Sequence, residues 1–438
     1  MNGLEVNILD KIFRRLFYYS CGFVFRLPFK GIRRYYLRLF VHSMGKDIYV
    51  GRNNNMKIGI LTQPLHANYG GLLQNYALQQ VLMRAGHEVE TIDWYPSYNS
   101  LRERLYRVKR AILSVFFPEK YPKLRYKITE EERKVIQSNT NHFISTYINH
   151  TEKVRTKEGF IAKAKEGNYD AYVVGSDQCW RPRYNAFLTS MFLDFVKEEK
   201  LKRIAYAASF GTDQWEFTQE MTSICAPLAQ KFDFVSVRED SGVKLCKDHL
   251  GVDAVHVLDP TLLLTKEDYI LLIEAEKEPK SKGTLFNYIL DPDAAKSAFI
   301  NKVEKKKGLT SFQVLPKCQE ETRTKKVVKN RIEDCVFPGV TTWIRAFMDA
   351  EMTIVDSFHG MVFSIIFNKP FWVIGNANRG MSRFTSLLKV FHLEDRLLDA
   401  NQLQEVDINC PIDWSSVNAI LQQKRNECIN LLLSQLPK

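Results

Sequence analysis

From Met56 onward, short continuous apolar runs alternate with longer stretches whose apolar residues recur at helical spacing. The run MKIGILT suits a strand buried on both faces, as in a parallel sheet. The loop HANYGG follows. Leu72 to Arg84 then carry apolar residues at 72, 73, 76, 78, 81 and 82, which is helical spacing, and Gly86 is a natural stop. HEVETIDW reads as the next strand, so the region opens strand–loop–helix–strand, the first unit of a doubly wound sheet. The alternation resumes in DAYVVGSD, RIAYAASFG, FDFVSVR and AVHVLDPTLLL. After a polar, partly helical junction at Thr265 to Lys282 it returns in GTLFNYIL, SFQVLP, MTIVDS and FWVIGN, and Trp414 to Leu433 reads as one long terminal helix.

The expected fold class is therefore α/β, with two Rossmann-like domains facing across a cleft between the carboxyl ends of two parallel sheets, where ligands of such sheets collect. Residues 1–55 form a basic extension, 56–265 the N-terminal domain, 266–400 the C-terminal domain and 401–438 a helical tail.

Composition narrows the class. Apolar residues make up 45% and charged residues 26% of 438, enough for a buried core, which excludes disordered, collagenous and coiled-coil chains. Net charge is +12, and the first 55 residues supply +7 of it from ten Lys/Arg against three Asp/Glu. There, Leu16 to Phe25 is an apolar run flanked by Arg14, Arg15 and Arg26; its ten residues cannot cross a bilayer core that needs about 20. Mixed basic and aromatic residues suit a helix lying in the headgroup layer of an anionic membrane, and an unordered extension is the competing reading. Arg102 to Lys134, with eleven Lys/Arg and five Glu, is expected to form surface helices. The eight cysteines stand at least 17 residues apart, so there is no Cys-x-x-Cys, and scattered reduced thiols point to the cytoplasm. HExxH, GxxxxGK[ST] and GxSxG are all absent, which removes zinc proteases, P-loop NTPases and nucleophile-elbow hydrolases.

The candidate chemistry lies at strand ends. In MTIVDSFHGMVFSIIF a strand meets Asp356-Ser357-Phe358-His359-Gly360 and then an apolar helix. His359 thus falls where unpaired N–H groups and the helix dipole favour an anion, and Ser357 can cap that helix. An imidazole beside an anion site can move protons near neutral pH; the competing use is a histidine tied to a carbonyl. In FDFVSVRED, Arg238 ends a strand, so its planar fork can hold a phosphate or carboxylate, against a salt bridge to Glu239 or Asp240. Arg379 and Arg383, in the loop NANRGMSR, can close on an anion or be solvated. Asn68-Tyr69-Gly70-Gly71, Ser176-Asp177-Gln178 and Ser209 with Gly211 terminate other strands, which puts small polar residues along one rim of the cleft. Asp291-Pro292-Asp293 has the spacing of an Asp-x-Asp metal site, but one of these aspartates is more simply a helix N-cap, so no metal is expected.

MKIGILTQPLHANYGGLLQNYALQQVLMRAGHEVETIDW, YDAYVVGSDQCW, RIAYAASFG, FVSVREDSG, VHVLDPTLLL and IVDSFHGMVFSIIFNKPFWVI together, in this order, resemble the polysaccharide pyruvyl transferase family. The resemblance implies a GT-B-like fold and transfer of the enolpyruvyl unit of phosphoenolpyruvate to two sugar hydroxyls, giving a pyruvate ketal and phosphate. It needs no cofactor beyond that co-substrate. It places the donor site in residues 266–400. It implies His359 as general acid, Arg238 as a catalytic donor-anion clamp, and Ser357, Phe358, Gly360, Arg379 and Arg383 as donor contacts. The rim residues Asn68, Tyr69, Gly70, Gly71, Ser176, Asp177, Gln178, Ser209 and Gly211 would face the acceptor, a polysaccharide or lipid-linked sugar. Some members carry an arginine after the first strand of the second domain; TLFNYILDPD has none, so Arg379 or Arg383 would have to substitute. The expected place is the cytoplasm, peripheral to the inner membrane face. Two rivals share the pattern: a glycosyltransferase using a sugar-nucleotide donor, and a non-catalytic membrane-associated binding protein. No nucleic-acid motif is present.

Overall fold

The computed structural model describes residues 55–96, 105, 108–110, 113–114, 116, 126–319, 323–375, 380–399, 403 and 406–436. The apolar run Leu16 to Phe25, most of the basic stretch from Arg102, and Arg379 lie outside the described residues.

The apolar runs of the first half form six strands: β1 (Lys57–Leu61), β2 (Glu88–Thr91), β3 (Ala171–Val174), β4 (Lys202–Ala208), β5 (Phe234–Val237) and β6 (Val255–His256). They make one parallel sheet in the order β2-β1-β3-β4-β5-β6. The second half gives β7 (Leu285–Tyr288), β8 (Ser311–Phe312), β9 (Met352–Val355), β10 (Phe371–Ile374) and β11 (Leu397–Leu398), also all parallel, in the order β11-β10-β9-β7-β8. Counted within its own half, the second sheet follows the order 2-1-3-4-5, one of the two common doubly wound arrangements, and the first follows the same order with a sixth strand at its edge. The α/β class and the strand segments expected from the sequence are those found; the edge strand β11 was not anticipated, because two residues carry no periodicity.

This order dictates where a ligand can bind. The strand order reverses between β1 and β3 in the first sheet and between β7 and β9 in the second, and loops part at such a point to leave a crevice at the strands' carboxyl ends. The helix α1 (Tyr69–Arg84) follows β1, and the short α2 (Asp240–Leu245) follows β5. The helix α3 (Phe358–Ile366) follows β9, and α4 (Ser382–Phe391) comes after β10.

The halves are tied together by packing and by polar contacts. Tyr69 at the start of α1 is 2% exposed, stacks on Trp343 at a centroid distance of 5.6 Å, and donates its hydroxyl to the Pro338 carbonyl at 2.9 Å. Ser386 on α4 accepts the Asp240 N–H at 2.9 Å, and its hydroxyl lies 3.2 Å from Nε2 of His256. The terminal helix α5 (Trp414–Ser434), close to its expected bounds, returns to the first half. Arg425 on it donates to the carbonyls of Leu262 (2.8 Å) and Leu264 (3.0 Å), and Cys428 accepts the Leu258 N–H at 3.4 Å. Asp293 caps the helix Ala294–Lys307 by accepting the Lys296 N–H at 2.8 Å, the capping use expected of this pair. Thr129 and Glu132 form a capping box on the helix Glu130–Ile136, inside the basic stretch.

Candidate active site

The two switch points meet at His359. Strand β9 ends at Val355, and Ser357 caps α3 by accepting the Gly360 N–H at 3.1 Å, as its sequence position suggested. His359 is the second residue of that helix. Its side chain keeps 12% of its surface exposed, while Nε2 is buried without a hydrogen-bond partner, 3.6 Å from Oδ2 of Asp259. The opposite side of the ring lies against the start of α1. A Cβ built on Gly70 would stand 2.0 Å from Nδ1 of His359, so only glycine fits there.

Asp259 follows β6 and is fully enclosed. Its Oδ2 accepts from Nη1 of Arg238 at 2.8 Å and from the Ser176 hydroxyl at 3.3 Å. Its Oδ1 accepts the N–H (3.0 Å) and the hydroxyl (2.7 Å) of Thr261. Burial alone would push this carboxyl up, but His359 and Arg238 beside it outweigh that and hold it well below the usual carboxylate range. Asp177 is governed likewise: burial raises it, and Arg238, His359 and Arg383 together keep it low. Asp177 takes a left-handed backbone conformation (φ 67°), which aspartate tolerates better than most residues.

Arg238 corrects one expectation. It is 2% exposed, and its fork is already engaged: Nη1 by Asp259, Nη2 by Asp177 at 3.1 Å and by the Ser209 hydroxyl at 3.3 Å. Its guanidinium lies 4.6 Å from the ring centroid of Phe358. The strand-end position is as read, but the carboxylates that satisfy this fork come from two other strand ends, and the competing bridge to Glu239 or Asp240 does not form. Glu239, also fully buried, accepts at Oε1 from the Ser209 hydroxyl (3.1 Å) and the N–H groups of Phe210 (2.7 Å) and Gly211 (2.9 Å).

Several rim residues are likewise corrected. Tyr69 belongs to the core shared by the halves, where its ring is worth more buried than facing solvent. Ser176 and Ser209 are fully buried and hydrogen-bond the carboxylates just named, and Asp177 serves Arg238. Gly211 is buried, and its carbonyl oxygen abuts Gly380, where a Cβ would lie 2.0 Å from it. Asn68 is exposed and accepts the Gly71 N–H at 3.2 Å. Gln178 is half-buried, its amide oxygen taken by Arg181 at 2.9 Å. Gly360 is packed against Val355. Phe358 is 4% exposed, with Arg238 on its ring at 4.6 Å and Arg383 at 5.8 Å. Arg383 is buried, and that burial, with Arg238 nearby, pushes its guanidinium down to about 10.

Asp259 and Thr261 were missed. The signal was present, because Asp-Pro in AVHVLDPTLLL ends a strand just as Asp-Ser does in MTIVDS. His66, in the loop after β1, was also missed. Burial and Lys153 push it down to about 4 despite Asp177, so it is neutral at pH 7.

Two doubly wound parallel sheets whose switch points meet at one histidine give a two-domain α/β architecture. The family model described as Polysaccharide pyruvyl transferase matches residues 68–378, and the chain belongs to that family, whose reaction is transfer of pyruvyl from phosphoenolpyruvate to sugar hydroxyls. Among solved structures, Arabidopsis thaliana UGT89C1 complexed with UDP-L-rhamnose is similar over 87% of this chain and 99% of its own, at 10% identity and a TM-score of 0.47. The UDP-GlcNAc 2-epimerase from Methanocaldococcus jannaschii is similar over 86% and 99%, at 11% identity and a TM-score of 0.47. Neither likeness is close enough to bear on chemistry. Comparison with curated proteins found no match.

Proposed function

We propose that this enzyme forms a cyclic pyruvate ketal on a lipid-linked sugar, with His359 as its general acid and Arg383 as the main cationic contact of the donor. The observation that carries the reading is the placement of His359 at the amino end of α3, beside Asp259 and next to Phe358, whose ring has Arg238 at 4.6 Å and Arg383 at 5.8 Å. A donor with a phosphate and a carboxylate brings negative charge to a helix start and to the buried guanidinium of Arg383.

The atoms balance as follows. The imidazolium proton of His359 passes to the methylene carbon of the donor, which becomes the methyl group. The first sugar oxygen bonds to the adjacent carbon, and its proton recharges the imidazole. The second sugar oxygen then bonds to the same carbon, the bond to phosphate breaks with its electron pair on the phosphate oxygen, and the second hydroxyl proton leaves with phosphate. The ring carbon at which both oxygens join passes through an oxocarbenium-like state.

Among the described residues no helix is long and apolar enough to cross a membrane. The +7 charge of residues 1–55 supports peripheral attachment to an anionic membrane face, where lipid-linked acceptors would be met. The test is incubation with phosphoenolpyruvate and a panel of galactosyl, glucosaminyl and mannosaminyl lipid or aryl acceptors, following phosphate release and product mass. One acceptor should gain the ketal, and His359→Ala should lower the rate by about 10²–10⁴-fold. Near wild-type turnover of that variant at saturating donor would remove the proton-transfer role. Turnover with a nucleotide sugar, and none with phosphoenolpyruvate, would replace the donor.

A further inference from the structure

We infer that Asp259 is the positioning residue of His359: it holds the Nε2 side of the imidazole, and Nδ1 is the atom that gives and takes the catalytic proton. This inference rests on the reading of His359 as the general acid and specifies which ring nitrogen acts.

The geometry leaves the ring little choice. Nε2 is closed off from solvent and has no hydrogen-bond partner, and the Asp259 carboxylate at 3.6 Å is its counter-charge. The side chain's remaining 12% exposure is therefore not at Nε2. A nitrogen that no ligand can reach cannot donate to one. Nδ1 is the ring's other nitrogen; the bare Cα of Gly70 packs on the ring beside it, where a methyl group would stand 2.0 Å from Nδ1. Glycine at position 70 thus keeps its own side chain off that nitrogen.

Asp259 is itself fixed, as a positioning group must be. Both oxygens are engaged: Oδ1 twice by Thr261, and Oδ2 by Arg238 and Ser176. Arg238 is anchored in turn by Asp177 and by the ring of Phe358, the neighbour of His359 in the chain. Three strand ends of the first half thus fix the one carboxylate seen to face the histidine carried by the second. An imidazole with a carboxylate at Nε2 favours the tautomer that keeps its proton there, which leaves the Nδ1 lone pair ready to accept.

The test begins with the unmodified protein, uniformly labelled with ¹⁵N-histidine. His359 resonances are assigned by difference from His359→Gln and read at a pH where the ring is neutral. The expected result is the Nε2–H tautomer in the wild type and a mixed population in Asp259→Asn. Kinetically, Asp259→Asn should lower kcat by about 10²-fold with the donor KM little changed, as for a misplaced rather than a missing group. Thr261→Val, which removes only one of the four hydrogen bonds to Asp259, should lower kcat by a smaller factor and serves where Asp259→Asn does not fold. An Nδ1–H tautomer in the wild type, or an unchanged tautomer in a folded Asp259→Asn, overturns the inference. Full activity of His359→Gln would instead overturn the general-acid reading beneath it, so the two failures are told apart.

Discussion

Gly70→Ala adds a single methyl group where α1 touches the ring of His359. Gly70 is the second residue of α1, outside the left-handed region, so alanine suits its backbone and is favoured there by up to about 1 kcal/mol of helix propensity. The methyl carbon would nonetheless sit 2.0 Å from Nδ1, 2.3 Å from Cγ and 2.7 Å from Cε1 of His359. Ordinary contact begins at 3.4 Å, so the ring has to retreat by roughly 1.4 Å. It cannot retreat toward Nε2 without meeting the carboxylate held by Arg238 and Thr261, so it must turn out of line. A misplacement of about 1 Å at a reacting group costs about 10²-fold in rate, close to 2.7 kcal/mol of activation free energy. Stability and rate should therefore part company: the thermal midpoint stays within a few degrees of wild type while kcat falls about 10²-fold. Phosphate release at saturating donor, on the acceptor that the wild type uses, measures the second. A kcat within threefold of wild type would refute the packing of His359 on Gly70 as a catalytic constraint.

Arg383→Gln should weaken phosphoenolpyruvate binding by about 1.5–3 kcal/mol, the worth of a charge-assisted hydrogen bond, measured by isothermal titration; unchanged affinity moves the clamp elsewhere. Arg238→Met should act mainly on folding, because it strands Asp177 and Asp259 as buried charges. A loss of about 3–5 kcal/mol in urea unfolding is expected, and unchanged stability with lost donor binding would restore the clamp role. Asp259 has a folded pKa below its unfolded value, so the stability it contributes is present above about pH 3.9 and is lost as pH falls through the folded value. Asp259→Asn should accordingly show a shallower loss of urea midpoint between pH 6 and pH 3 than the wild type, and parallel curves would contradict this assignment. A chain beginning at Met56 should fold, bind donor and act on soluble acceptors, yet co-sediment with anionic liposomes much less than the full chain. Equal sedimentation would end the case for residues 1–55 as an anchor.

The strands, the helix cap at Ser357 and the place of His359 at a strand-to-helix turn were legible in the sequence because each depends on neighbours along the chain. A buried parallel strand needs only a short apolar run, and an N-cap needs only a hydroxyl before a helix. Partnership was not legible. Arg238 could be assigned a strand end but not its carboxylates, since Asp177 and Asp259 come from different strands brought together by the order β3-β4-β5-β6. Tyr69 has the look of a rim residue in its local string, and only the packing of the second half turns it into core against Trp343. Gly70 and His359, about 290 residues apart in the chain, meet because each follows the switch strand of its own sheet. Local preferences thus put an acid–base residue at the carboxyl end of a strand. Which nitrogen of it could act was decided by long-range burial, which closed Nε2 against a carboxylate and left Nδ1 beside a glycine of the other half.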